Sequence, residues 1–195
     1  MAEIKSTLEK VMERVAAMGP VADQDIDADE VVKQGMRLAA RYMRGETTEF
    51  QTALNDNPEA NRVLFQKGIA QVLLRNIVLP READQQAAEK AMQGLLELGK
   101  GNRELLTVLG ETKKILGRFL EHKQQLRQQL ESAIRQQLEQ AMAQQGIQND
   151  LNIKIDPARH PKYQEEWSRI HNALQEQYGQ ALDQYKTAVV QILGV

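Results

Sequence analysis

The longest uninterrupted helical pattern in the sequence limits the folds open to this chain of 195 residues. No proline occurs in residues 102–144, and apolar residues recur there at helical spacing. As one helix this segment would be ~65 Å long, at 1.5 Å per residue. A compact domain of this chain length has a diameter of roughly 40 Å, so the helix cannot lie inside a sphere. The pattern therefore predicts an extended helical element.

A second long amphipathic pattern follows in residues 161–193, after a proline-bounded linker. The apolar stripes of both patterns are continuous enough to cover each other in an antiparallel hairpin. We therefore predict a long, coiled-coil-like helical hairpin over residues 101–195, with a tip near residues 146–160. A symmetric turn would place Leu126 level with Tyr178 and Leu130 level with Leu174.

The first hundred residues predict a separate N-terminal helical lobe. Glycines and prolines fall between its apolar patterns, and Gly45 follows one pattern where a left-handed helix cap is common. The glycine-rich break at residues 99–102 is the predicted lobe boundary. The fold class is therefore all-α. The helices predicted in the lobe cover residues 3–18, 27–44, 47–55, 58–78 and 82–98.

Composition excludes several classes of function. Without cysteine there is no disulfide, thiolate nucleophile or zinc–cysteine site. A formal charge of -2 argues against a dedicated duplex-DNA binder, which must neutralise phosphates. No apolar run reaches the roughly 20 residues that span a bilayer, and the first residues lack the apolar core of a signal peptide. We expect a cytoplasmic protein.

Three patterns resemble chemical sites but lack essential residues. Residues 94–101 approach a phosphate-binding loop, yet Gly101 replaces the hydroxyl residue that would hold magnesium. Alternating aspartates in residues 23–29 resemble a calcium loop, yet Ala28 and Gln34 occupy its glycine and glutamate positions. The three histidines have no paired-ligand spacing. We therefore predict no catalytic residue, metal or cofactor.

Two surfaces of the hairpin are candidates for interaction. One is a basic stripe. Its alternatives are a binding surface for RNA, an anionic membrane or an acidic partner, and a helix face that is only solvated. The other is the tip, together with an aromatic residue of the last helix. The stripe comprises Lys113, Lys114, Arg118, Lys123 and Arg127, and the tip candidates are Leu151, Ile153, Ile155 and Arg159, with Trp167 nearby in sequence.

Three segments together resemble an uncharacterised family of helical bacterial proteins, found mostly in deltaproteobacteria. They are EIKSTLEKVMER at the start, VLLRNIVLPRE in the centre and GLLELGKGN before the long helix. The resemblance spans most of the chain and implies a helical fold and a cytoplasmic bacterial origin. The family has no assigned activity, so the resemblance adds no site residue.

We therefore expect a structural or adaptor protein that acts through helix–helix contacts with an unknown protein partner, as a homodimer. One alternative is a nucleic-acid or anionic-membrane module that uses the basic stripe. Another is an enzyme or small-molecule binder with a pocket in the N-terminal lobe.

Overall fold

The computed structural model describes residues 23–46, 49–81, 85–144 and 156–195. These residues contain six α-helices, one short 3-10 helix and no strand, which confirms the predicted all-α fold. The first predicted helix, over residues 3–18, lies outside the described residues. Contacts divide the molecule into two units, one with the described residues as far as Arg75 plus Gly194–Val195, the other Asn76–Leu193.

The first unit is built from three helices: α1 (Asp23–Met43), α2 (Phe50–Asp56) and α3 (Glu59–Arg75). Helix α1 begins four residues earlier than predicted, so the aspartate-rich segment is helical and not a calcium-binding loop. Among the described residues, no group of three or more metal-ligating side chains converges. The core is aliphatic and aromatic, with Phe50, Phe65, Ile69 and Leu73 buried.

Helices α1 and α3 cross in close backbone contact at two glycines. A Cβ atom added to Gly35 would overlap the carbonyl oxygen of Phe65, and one added to Gly68 would overlap that of Val32. Each helix therefore uses a glycine to admit the backbone of the other. This crossing also fixes which face of α3 is buried. Val63 lies outside that face and is 54% exposed.

The second unit contains α4 (Gln85–Leu98), α5 (Arg103–Gln144) and α6 (Pro161–Leu193). A 3-10 helix, Pro157–Arg159, precedes α6 and contacts both long helices. The two long predicted helices are confirmed to within one residue at the described ends. Asn102 begins α5 as an N-cap, because its side-chain oxygen accepts the backbone N–H of Glu104 at 2.8 Å.

The ends of α1 and α4 have the same backbone arrangement. After α1, Gly45 adopts φ 90° and the N–H of Glu46 donates to the carbonyl of Arg41 at 3.1 Å. After α4, Lys100 adopts φ 53° and the N–H of Gly101 donates to the carbonyl of Leu96 at 2.9 Å. Both are Schellman caps. The segment that resembled a phosphate loop is therefore a helix with its C-terminal cap.

Helices α5 and α6 form the predicted antiparallel hairpin. The Tyr178 ring packs edge-on against Phe119 at 5.5 Å, and its hydroxyl lies 3.5 Å from Nδ1 of His122. Tyr178 therefore lies level with Phe119 and His122, and not with Leu126 as predicted, which is seven and four residues further along α5. The symmetric-turn register was wrong, because the 3-10 helix with its buried Pro157 folds back against α5.

Two glycines of α5 lie in continuous helix and not at a hinge. Gly110 and Gly117 both fall inside Arg103–Gln144, and no described atom lies within 4 Å of a Cβ atom built on either. Within the described residues neither glycine brings a neighbouring helix into close contact, although Gly117 lines a cleft between α4 and α5. The predicted lobe boundary near residue 100 falls inside the second unit, because α4 is grouped with the hairpin. As a statement about independently folding domains, 1–100 and 101–195 stay a prediction.

Candidate functional site

The hairpin extends well beyond α4. At about 1.5 Å per residue, the 14 residues of α4 span ~21 Å, whereas the 42 residues of α5 span ~63 Å. We call the part beyond α4 the distal arm: residues 120–144 of α5, Pro157–Arg159, and residues 161–178 of α6. In the arm, α6 and the 3-10 helix are the principal neighbours of α5 among the described residues.

The two helices of the distal arm cover each other only in part. Ile134, Tyr163 and Leu174 are buried between them. Leu126 and Leu130 of α5 are half-buried, and so is Ile170 of α6. Among the described residues, no third helix covers the edges of this apolar seam. The arm therefore presents a strip of partly exposed apolar side chains.

A polar cluster joins the two helices near the N-terminal end of α6. The Tyr163 hydroxyl donates to Oε1 of Glu131 at 3.3 Å, and Nε of Arg127 donates to the same oxygen at 3.1 Å. Burial raises the pKa of the Tyr163 hydroxyl, and the Glu131 carboxylate beside it raises that pKa further. This cluster fixes the register of the arm through a buried, hydrogen-bonded group.

One turn further along α6, two rings stack in parallel. The Trp167 and His171 centroids lie 5.6 Å apart with an interplanar angle of 16°. Nδ1 of His171 is buried and has no hydrogen-bond partner among the described residues. Burial lowers the pKa of His171, and the positive charge of Lys123 on α5 lowers it further. Both effects favour the neutral form of this imidazole, which stacks on the Trp167 indole.

The structure divides the predicted basic stripe among several environments. Lys113 pairs with Glu89 of α4 at 2.9 Å, and Lys114 pairs with Glu111 at 2.7 Å. Arg118 and Lys123 form no ion pair within the described part of the chain. Some charges of the stripe are therefore paired with a carboxylate and others are not. Glu111 has a lowered pKa, chiefly through its hydrogen bond with Lys114.

The five stripe residues do not share one face. Lys113, Lys123 and Arg127 line one side of α5, and Lys114 and Arg118 lie outside both clefts on that side. No aromatic residue other than Phe119 lies among the stripe residues in the sequence of α5. The hairpin brings His171, which stacks on Trp167, close enough to Lys123 of the other helix for the lysine charge to act on it. Only the register of the two helices brings these groups together, so no local sequence signal reports it.

The tip candidates have separate outcomes. Leu151, Ile153 and Ile155 lie outside the described residues, so their predicted role is untested. Arg159 lies at the end of the 3-10 helix, where its Nε is 3.2 Å from Oδ2 of Asp156. Oδ1 of Asp156 in turn accepts the backbone N–H of Ala158 at 3.1 Å. Arg159 therefore pairs locally at the helix start.

These features define a class of protein: an all-α chain with a helical hairpin that extends beyond its neighbouring helix. A model of the family of unknown function DUF6657 matches residues 51–191. The match covers more than half of the chain, which therefore belongs to that family. No curated protein and no solved structure matches the chain. Among the described residues, no helix is long and apolar enough to cross a membrane.

Proposed function

We propose that the protein is a non-catalytic adaptor that binds partner proteins through helix–helix contacts of the distal arm. One observation carries the proposal: the apolar seam of the arm is only partly buried at Leu126, Leu130 and Ile170, on a hairpin that α4 is too short to flank. Apolar strips bordered by polar residues are typical of protein interaction sites. An amphipathic helix is the partner that such a strip accommodates.

Two further parts of the proposal concern assembly and location. We expect the protein to be a homodimer in the cytoplasm, because a two-helix arm leaves apolar edges that a second subunit covers well. Sedimentation velocity at micromolar concentrations tests the assembly. A dimer at all concentrations supports this part, and a monomer at all concentrations contradicts it.

The nucleic-acid and membrane-surface alternative has weaker support. Three of the five basic residues, Lys113, Lys114 and Arg127, lie within ion-pair distance of a glutamate. An anionic polymer would have to compete with those carboxylates, which reduces the gain from counterion release. Gel-shift and vesicle sedimentation assays at two salt concentrations test this alternative. Among the described residues, no observation favours a catalytic pocket in the first unit.

The direct test uses variants of the full chain in cells that produce it naturally. Replacement of both Leu126 and Ile170 by Gln removes apolar surface from the arm and keeps helix-compatible residues. Gln129→Glu, on the outward face of α5, is the control. We expect proteins that co-purify with the wild type to be lost with the double variant and kept with the control. Unchanged co-purification, with unchanged helix content by circular dichroism, would contradict the proposal.

A further inference from the structure

A cleft of about 150 Å³ lies between α4 and α5, within the second unit. Helix α4, helix α5 and the segment before α4 all contribute to its walls. Several of the apolar residues that line it are themselves buried, so the cleft is set into the core of this unit and not into a polar surface. The apolar lining residues are Pro80, Ala88, Met92, Leu116, Gly117 and Leu120.

Small residues on both helices leave this space open. Ala88 provides part of the α4 wall, and Gly117 provides part of the α5 wall. A Cβ atom built on Gly117 would meet no described atom within 4 Å. An apolar cavity of about 150 Å³ accommodates a benzene ring, whereas sites for drug-sized ligands begin at about 300 Å³. The volume therefore suits a single ring, and not a nucleotide or a lipid.

One ion pair provides the polar edge of the cleft. Nζ of Lys113 on α5 lies 2.9 Å from Oε1 of Glu89 on α4, and both side chains are more than half exposed. Since the two charges compensate each other, a charged ligand would have to separate the pair. A hydroxyl group can donate to the carboxylate or accept from the ammonium group and leave the pair intact. The edge therefore favours an uncharged polar substituent.

Met92 favours an aromatic ring over a saturated one. A thioether sulfur makes favourable contacts with aromatic rings, and the flexible methionine side chain adapts to the shape of its neighbour. Among the described residues, no aromatic side chain lines the cleft. A ring that contacts this sulfur within the cleft therefore has to come from a ligand.

We propose that this cleft, which we call the ring site, binds one uncharged aromatic ring whose hydroxyl group meets the Lys113–Glu89 pair at the edge. The ligand class is thus a phenol, either as a free molecule or as the tyrosine side chain of another protein. The inference is independent of the proposed adaptor function, because none of Leu126, Leu130 and Ile170 lines the ring site.

The test titrates phenol into the full-length protein, whose methionine methyl groups carry ¹³C, and follows the methyl signals by NMR spectroscopy. A bound aromatic ring shifts the signal of a methyl group beside it through its ring current. Met92 is the reporter, assigned by the loss of its signal in Met92→Leu. Met36 and Met43 of α1, in the first unit, are internal controls.

Two glycine variants form a matched pair. Gly117→Leu places a side chain in the ring site, where no described atom blocks it. Gly110→Leu makes the same substitution one heptad earlier in α5, at a position outside the ring site. Both replace glycine by a better helix former, so loss of helix cannot explain a difference between them.

We expect a saturable shift of the Met92 signal with a Kd of about 1 mM or lower, a moderate affinity for a ligand of this size. Gly110→Leu should leave this Kd unchanged. Gly117→Leu should weaken binding at least about tenfold, because leucine atoms occupy the space of the ring. Cyclohexanol, which carries the same hydroxyl on a saturated ring, should bind at least about threefold more weakly than phenol, because it loses the contact between sulfur and ring.

Three results would overturn the inference: no saturable shift of the Met92 signal, a shift that Gly117→Leu leaves unchanged, or cyclohexanol that binds as tightly as phenol. Equal shifts of Met36, Met43 and Met92 would also overturn it, because they indicate unspecific binding. Titration with N-acetyltyrosinamide separates the two sources of the ring. Binding of both compounds identifies a tyrosine side chain as a ligand, and binding of phenol alone restricts the site to free phenols.

Discussion

Replacement of Gly68 by alanine should destabilise the first unit, although alanine is the better helix former. A Cβ atom on Gly68 overlaps the carbonyl oxygen of Val32 and lies 3.0 Å from the backbone nitrogen of Met36. Both atoms belong to the backbone of α1, so no side-chain rotation relieves the overlap. The helices must move apart, which also loosens the packing of Phe65 and Ile69 around the crossing.

The magnitude follows from two opposing effects. Overpacking costs typically 1–3 kcal/mol, and contact with a rigid backbone places this case at about 3 kcal/mol. The better helix propensity of alanine returns about 1 kcal/mol. The net loss is about 2 kcal/mol, which lowers the melting temperature by roughly 4–8 °C for a chain of this size.

Thermal and urea unfolding of the full chain, followed by circular dichroism, measures this loss. Gly110→Ala is the matched control, since no described atom lies within 4 Å of its Cβ position. There only the helix propensity changes, and we expect about 1 kcal/mol of stabilisation. The double variant of Gly35 and Gly68 should lose less than the sum of both single variants, because one separation of the helices relieves both overlaps. A Gly68→Ala protein at least as stable as the wild type would refute the crossing.

Three further predictions concern the second unit and the helix caps. Trp167 is the only tryptophan, so the intrinsic tryptophan fluorescence reports on the stacked His171. Acidification should quench this fluorescence with a midpoint below pH 6.5, because the pKa of His171 is lowered. His171→Gln should abolish the quenching. Because the folded pKa of His171 is lowered, unfolding free energy should fall as pH drops below the unfolded value of 6.5 and level off below the folded pKa, and Lys123→Gln should shift both profiles to higher pH. Lys100→Gly should raise the free energy of unfolding by about 1 kcal/mol, because glycine adopts the left-handed backbone of this position without strain. Gly45→Ala should lower the free energy of unfolding by about the same amount, because alanine would be strained there. Thermal unfolding measures both, and changes of the same sign at the two positions would contradict this account of the caps.

The sequence predicted the long helices well because their signals are local. Pro161 begins α6 and Asn102 caps α5, and both patterns continue without a break to the described ends. The capping glycine Gly45 was also predicted from its position alone. Helix propensity, capping and apolar periodicity all depend on neighbours within a few residues, so one chain suffices to read them.

The contacts between helices could not be predicted in the same way. Gly110 and Gly117 lie seven residues apart in one helical pattern, yet no described atom lies within 4 Å of a Cβ position on either. The close approach occurs at Gly35 and Gly68, which belong to different helices and share no local pattern. The register of the hairpin depends on the 3-10 helix at the return of the chain, and an apolar stripe repeats too evenly to select one register over the next.

The candidate site was predicted in part for the same reason. Its cations are visible in the sequence, and Lys123 and Arg127 were identified from it. The partition of the stripe was not, because Glu89 comes from another helix and reaches only Lys113. The effect of the Lys123 charge on His171 follows from the register, which local periodicity does not encode.

The most direct test of the account is site-specific photocross-linking in living cells that produce the protein. A photoreactive residue replaces Leu126 in the partly buried seam of the distal arm or, as the control, Gln136 on the outward face of the same helix. The account predicts a discrete adduct with another protein at position 126 and none at position 136. Adducts of equal yield at both positions, or none at either, would contradict the claim that the distal arm is a binding surface.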